Sequence, residues 1–150
     1  MSQSLAKIYV HLIFSTKNRD RCLPREIQTD LHSYMGGTLH GLGCVPIEIN
    51  SEPDHAHLLF LLGRTITLSE TIGSIKTSSN DWIRTRAPQV GQFHWQGGYG
   101  AFSVGQSGAD DVRHYIRNQQ EHHKHVSFQD EFRAFLKRYE VHYDEKYVWD

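Results

Sequence analysis

The nine residues Asp54-His55-Ala56-His57-Leu58-Leu59-Phe60-Leu61-Leu62 constrain the fold most, because they place two imidazoles two positions apart in what otherwise reads as a buried β-strand. Strand side chains alternate faces, so His55 and His57 point the same way, with Leu59 and Leu61 following them. Ala56, Leu58, Phe60 and Leu62 point the other way. Both faces therefore need cover, and imidazoles under such cover are costly unless paired or ligated. Two neutral imidazoles on one face can hold a divalent metal. The pattern predicts a third ligand and a nucleophile elsewhere in the chain.

Tyr115-Ile116-Arg117-Asn118-Gln119 offers both, in a stretch with helical character. Residues four apart share a helix face, separated by about 6 Å of rise, so Tyr115 and Gln119 can both face the histidine pair. Two imidazoles and a carboxamide leave positions open for substrate oxygens, as a catalytic metal requires. By ligand type alone the set suits zinc, manganese or another transition metal.

His-x-His on a strand with Tyr-x-x-x-Gln on a later helix resembles the HUH single-tyrosine transposases of the insertion sequence 200/605 family. The resemblance runs through His11-Leu12-Ile13-Phe14-Ser15-Thr16-Lys17-Asn18-Arg19, the His-x-His strand, Trp95-Gln96-Gly97-Gly98-Tyr99-Gly100-Ala101-Phe102-Ser103-Val104, and residues 115–131. The family's middle residue is usually a bulky hydrophobe. Ala56 departs from that, which weakens packing behind the histidines and leaves both ligands in place. The resemblance implies a metal-dependent transposase that cleaves and rejoins single-stranded DNA. Tyr115 would be the catalytic nucleophile, and His55, His57 and Gln119 the ligands of magnesium or manganese. It further implies a 5′-phosphotyrosine intermediate, folded hairpin ends of a mobile element as substrate, and a homodimer in which each active site joins one subunit's histidines to the other's tyrosine helix. Two alternatives are a domesticated relative acting on chromosomal repeat hairpins and a non-catalytic module binding single-stranded nucleic acid through its sheet.

Composition fits that reading without demanding it. One domain spanning 1–150 is expected, soluble and cytoplasmic, with 38% hydrophobic and 22% charged residues and no apolar run long enough to span a membrane. The first residues lack the basic and apolar regions of a signal peptide. Cys22 and Cys44 are expected to be reduced thiols. A net charge of -1 argues against non-specific wrapping of duplex DNA, yet leaves room for local basic surface. Candidate DNA contacts are Lys17, Arg19 and Arg21 in one cluster, which also holds Arg25, and Lys76 and Arg84 in another with Arg86. Solvated faces are the commoner explanation of such clusters. His122, His123 and His125 form a rival cluster for contacting metal or phosphate, with His122 on roughly the Tyr115 face, though a solvated helix end with favourable His and Lys124 charge is the commoner arrangement. Phe93, Trp95 and Tyr99 suit either base stacking or core packing. The glycine-rich 97–100 segment lacks a P-loop lysine.

The order of elements follows from periodicity. Ile8, Val10, Leu12 and Phe14 alternate with Tyr9, His11, Ile13 and Ser15 as a strand. Ile27, Leu31, Tyr34, Met35, Leu39 and Leu42 predict a helix from Arg25, stopped by Gly41 and Gly43. Val45, Ile47 and Ile49 form a second strand, which Pro46 assigns to an edge, hairpinned through 51–54 into the histidine strand. Thr67 and Glu70 open a second helix that reaches as far as Pro88, and a short strand is expected near 101–104. Ser107 and Asp110 can open the tyrosine helix, and Phe128, Phe132, Phe135, Leu136 and Tyr139 mark a final amphipathic one. Strand, helix, strand, strand, helix, strand is the split βαβ of an α+β, ferredoxin-like (RRM-like) fold. Its antiparallel sheet carries both helices on one face, and the tyrosine helix is the candidate cover for the other, from the same subunit or a partner.

Overall fold

A computed structural model describes residues 2–150. The chain runs β1 (Tyr9–Ser15), α1 (Arg25–Gly41), β2 (Val45–Glu52), β3 (His55–Leu61), α2 (Leu68–Arg86), β4 (Gly100–Val104), α3 (Ala109–Arg117), α4 (Gln119–His122) and α5 (Phe128–Arg138). The strands form one antiparallel sheet in the order β2-β3-β1-β4, the ferredoxin-like topology. Pro46 lies on an edge strand, as a residue without an amide hydrogen must, and the ladder shifts register between it and Glu48.

Val10, Leu12 and Phe14 of β1 and Ala56, Leu58 and Phe60 of β3 face α1 and α2, and all are buried in one core. α1 contributes Ile27, Leu31, Met35 and Leu39, a stripe with helical spacing. It ends where Gly43 takes φ +82°, the left-handed conformation glycine adopts without a Cβ penalty. Thr67 caps α2 by accepting from the Glu70 amide at 3.1 Å. Cys22 and Cys44 are both free thiols.

The opposite face is covered by the same chain. Ala109 and Ile116 of α3 pack on Tyr9 and Leu59, with Val112 and Tyr115 beside them. Phe128, Phe132 and Leu136 of α5 close over Ile13 and Phe102, joined by Val148 and Trp149 from the end of the chain. Burial of each phenylalanine contributes roughly 2–3 kcal/mol toward holding α5 on the sheet. The approach is close at Gly100, where any Cβ would run into the Phe132 ring.

Two local expectations change. Neither Ser107 nor Asp110 caps α3, which begins directly from a 3-10 turn at Gln106–Gly108. Asp110 and Asp111 occupy its first turn instead, where carboxylates complement the helix dipole. The helix also breaks between Tyr115 and Gln119, because Asn118 at φ −97° and ψ 22° leaves helical geometry and Gln119 opens α4. Asn50 of β2 receives the loosened end: its Nδ2 donates to the Ile116 carbonyl at 2.8 Å and the Arg117 carbonyl at 3.2 Å. No described helix is long and apolar enough to cross a membrane.

Candidate active site

His55 and His57 occupy adjacent same-face positions of β3, the third strand in sequence and an interior one in space, and both are fully buried. His55 Nδ1 bonds Asp54 Oδ1 at 2.6 Å, and His57 Nδ1 shares a 2.9 Å hydrogen bond with His11 Nε2 on β1. Each ring thereby turns its Nε2 the other way, toward Glu131 of α5. His57 Nε2 lies 2.8 Å from Glu131 Oε1 and His55 Nε2 lies 3.5 Å from it. His123 Nε2 completes the group at 3.1 Å from Glu131 Oε2.

One ligand atom from each of His55, His57, His123 and Glu131 lies within 4.8 Å of every other, so the cluster could hold a metal ion. The donor set fits. Imidazole nitrogens and one carboxylate oxygen converge from three elements, and all three rings are oriented through Nδ1 by outer partners, Asp54, His11 and the Val126 carbonyl, as metal-binding histidines are. Gln119 is buried beside them, its Oε1 at 2.8 Å from His123 Nε2 and 3.3 Å from His55 Nε2.

The electrostatics follow from crowding imidazoles around one acid. Burial pushes the Glu131 carboxyl up, but His57, His123 and His55 outweigh it and hold the group far below the usual carboxylate range. Burial lowers His57 and His11, keeping both neutral at pH 7. His123 moves the other way: its bond to Glu131 overcomes burial and raises it. Tyr115 Oη donates to Glu131 Oε2 and sits 3.0 Å from His122 Nε2. Burial and the Glu131 charge raise this phenol well above the ordinary tyrosine value, so it rests protonated.

The tyrosine is thus one hydrogen bond from a cluster with the makings of a metal centre. The sequence matches the family described as transposase IS200 like over residues 4–119. The chain belongs to the IS200-like transposase family. Its fold is similar to that of a Deinococcus radiodurans R1 chain assigned as a transposase, at 22% identity and TM-score 0.62, covering 79% of this chain and 98% of that one. It is likewise similar to a REP-associated tyrosine transposase solved bound to a REP hairpin, at 16% identity and TM-score 0.58, covering 84% and 76%. No curated protein sequence matches the chain.

In this transposase the sequence-derived candidates Tyr115, His55, His57 and Gln119 come together within one chain, with α3 lying on its own sheet. Glu131 and His123 join them. Glu131 sits among Phe128, Phe132 and Phe135, and a carboxylate inside an apolar helical stripe was the available signal for it. His123 was visible only as part of a histidine run. The basic candidates divide. Lys17, Arg19 and Arg21 follow β1, whose neighbour Thr16 donates its amide to the Asp54 carbonyl at 2.9 Å, so they lie at the His55 end of the sheet. Arg21 approaches Asp54 Oδ2 at 3.5 Å, and the Arg19 guanidinium lies over the Trp149 ring at 5.3 Å. Lys76 instead donates to the carbonyls of Gln96, Gly97 and Gly98, and burial lowers it to about 8. Arg84 Nε donates to the Phe93 carbonyl at 2.9 Å. Both brace the 93–98 loop. Within it Phe93 and Trp95 are buried, while Tyr99 beyond it remains exposed.

Proposed function

We propose that the chain cleaves and rejoins single-stranded DNA through a 5′-phosphotyrosine on Tyr115, with folded hairpin ends as the substrate class. One observation carries this reading: Tyr115 Oη is hydrogen-bonded to Glu131, the carboxylate that also gathers His55, His57 and His123. A binding module has no need of a phenol held against a buried imidazole and carboxylate cluster.

His55, His57, His123 and Glu131 are the residues that would hold a divalent ion, with Gln119 adjacent. Bound there, magnesium or manganese supplies Lewis-acid charge for the scissile phosphate. The chain's own residues do the rest. Tyr115 Oη attacks phosphorus in line, forming the Oη–P bond as the P–O3′ bond breaks. As the hydroxyl turns from Glu131 Oε2 toward His122 Nε2, 3.0 Å away, its proton passes to that imidazole in the tautomer that carries its own proton on Nδ1. The departing 3′ oxygen takes up a proton from solvent and leaves as a free 3′-hydroxyl. A 3′-hydroxyl attacking the phosphotyrosine reverses the step without ATP, since the ester bond is conserved in the covalent link. Lys17, Arg19 and Arg21 are proposed to steer the phosphate backbone toward the His55 end of the sheet.

The test is incubation with labelled single-stranded hairpin DNA. A covalent adduct should form with magnesium or manganese, disappear in EDTA and disappear in Tyr115→Phe, whose ring preserves the packing. An undiminished adduct in that variant removes Tyr115 from the mechanism, and one unchanged in EDTA removes the metal. A homodimer is proposed as the working assembly, with each site built as it stands within its own chain.

A further inference from the structure

A cavity of about 520 Å³ opens between the end of β4, α3 and α5, with Tyr115 in its wall. His11 also lines it, and this imidazole is fully buried. One of its nitrogens is engaged by His57, while Nδ1 is the single buried side-chain nitrogen or oxygen without a hydrogen-bond partner among the described residues. Whichever of the two rings donates in that bond, His11 Nδ1 is left with one unused hydrogen-bonding position. A buried polar nitrogen without a partner is costly, so an occupant that supplies one is favoured.

The other walls say what kind of occupant. Phe135 and Tyr139 line the cavity, and both stack on Phe102, at 5.7 Å and 4.7 Å between ring centroids, which holds their faces in place. Arg138 and Asp111 contribute one charge of each sign, a balance that suits a neutral planar group better than a phosphate. We infer that this cavity takes an unpaired nucleobase of the strand adjoining the phosphate that Tyr115 attacks, with His11 Nδ1 hydrogen-bonded to a polar atom on the edge of the base. The inference rests on the single-strand DNA reading proposed above and adds a base-recognition site to it.

Gly105 provides the test, since it lines the cavity at φ −74° and a Cβ there meets nothing within 4 Å. Gly105→Trp should fill the space without backbone strain. Binding of oligo-dA, oligo-dC, oligo-dT and a G/T copolymer is compared by fluorescence anisotropy with that of an abasic oligomer of equal length, in magnesium. At least one base-bearing strand should bind the unaltered chain roughly 5- to 100-fold more tightly than the abasic one. Gly105→Trp should remove most of that preference. In parallel, the His11 Nδ1 resonance of ¹⁵N-histidine-labelled unaltered protein should move with the base-bearing strand and stay in place with the abasic one. Equal binding of all strands, a preference surviving in Gly105→Trp, or an unmoved His11 resonance overturns the proposal. The resonance decides the matter in the unaltered protein if Gly105→Trp does not fold. Base preference with no Tyr115 adduct would keep the cavity assignment and sink the nucleophile, whereas an adduct without base preference would do the reverse.

Discussion

Glu131 bonds to or faces His55, His57, His122, His123 and Tyr115, so the state of this one carboxylate sets the hydrogen bonding of the whole site. Glu131→Gln keeps the size and removes the charge. Manganese affinity measured by calorimetry should fall at least about tenfold, the scale on which even outer partners of metal sites act. Unchanged affinity would remove Glu131 from the ligand set. His32 offers a titration away from the cluster. Its Nε2 meets Ser51 Oγ at 2.7 Å, and burial lowers its pKa to about 4 from the usual 6.5. Between those values the unfolded chain binds a proton that the folded chain refuses, so this contribution is intact above pH 6.5 and is lost as pH falls toward 4. Urea unfolding of His32→Gln should therefore lose less stability than the unaltered chain between about pH 7 and about pH 4.5, by on the order of 2 kcal/mol. Parallel pH slopes would contradict the assignment.

At the scale of elements, the break at Asn118 decides where the tyrosine points. An unbroken helix would put Tyr115 and Gln119 in simple i, i+4 register, whereas the observed α3–α4 junction frees carbonyls that Asn50 must satisfy. Glu48 adds ion pairs to Arg113 at 3.1 Å and Arg117 at 2.9 Å, both solvent-facing and worth little singly. Asn50→Ala leaves the part-buried C-terminal end of α3 short of a donor. It should cost about 0.5–1.5 kcal/mol of stability. Amide exchange should accelerate in α3 and remain slow in α1, and adduct yield should drop with it. Uniform exchange across both helices would show that Asn50 does not anchor α3. None of this is legible from sequence, because Asn50 and Ile116 are 66 positions apart and the tyrosine motif does not specify what receives its backbone carbonyls.

For the whole molecule, the question is whether the tyrosine helix serves its own sheet or another's. Its apolar face is already covered by Tyr9 and Leu59 of the same chain, and Asn50 and Glu48 tie it there. Mixing Tyr115→Phe with His57→Ala chains, under conditions where subunit exchange is verified, should therefore restore no cleavage. Every site built within one chain would carry one defect. Recovered activity would mean that the helices are exchanged between subunits, as the sequence resemblance implies for a homodimer.

The amphipathic periods of β1, α1, β2, β3 and α2 made the order of elements legible, and with it the match to a layered split βαβ fold. The same reasoning made His55 and His57 legible, because alternation alone puts them on one face of a strand that must be covered. Tertiary structure alone decided the rest. A lysine in sequence is a cation in either setting, and only packing committed Lys76 to the carbonyls of Gln96, Gly97 and Gly98 while leaving Lys17 exposed. Glu131 and His123 enter the site because α5 and the turn after α4 fold back over β3, and His11 touches His57 because β1 and β3 are neighbours. Such contacts depend on the direction in which distant elements return. Local periodicity fixes which face of an element is buried and leaves open which polar groups of the covering element will meet it there.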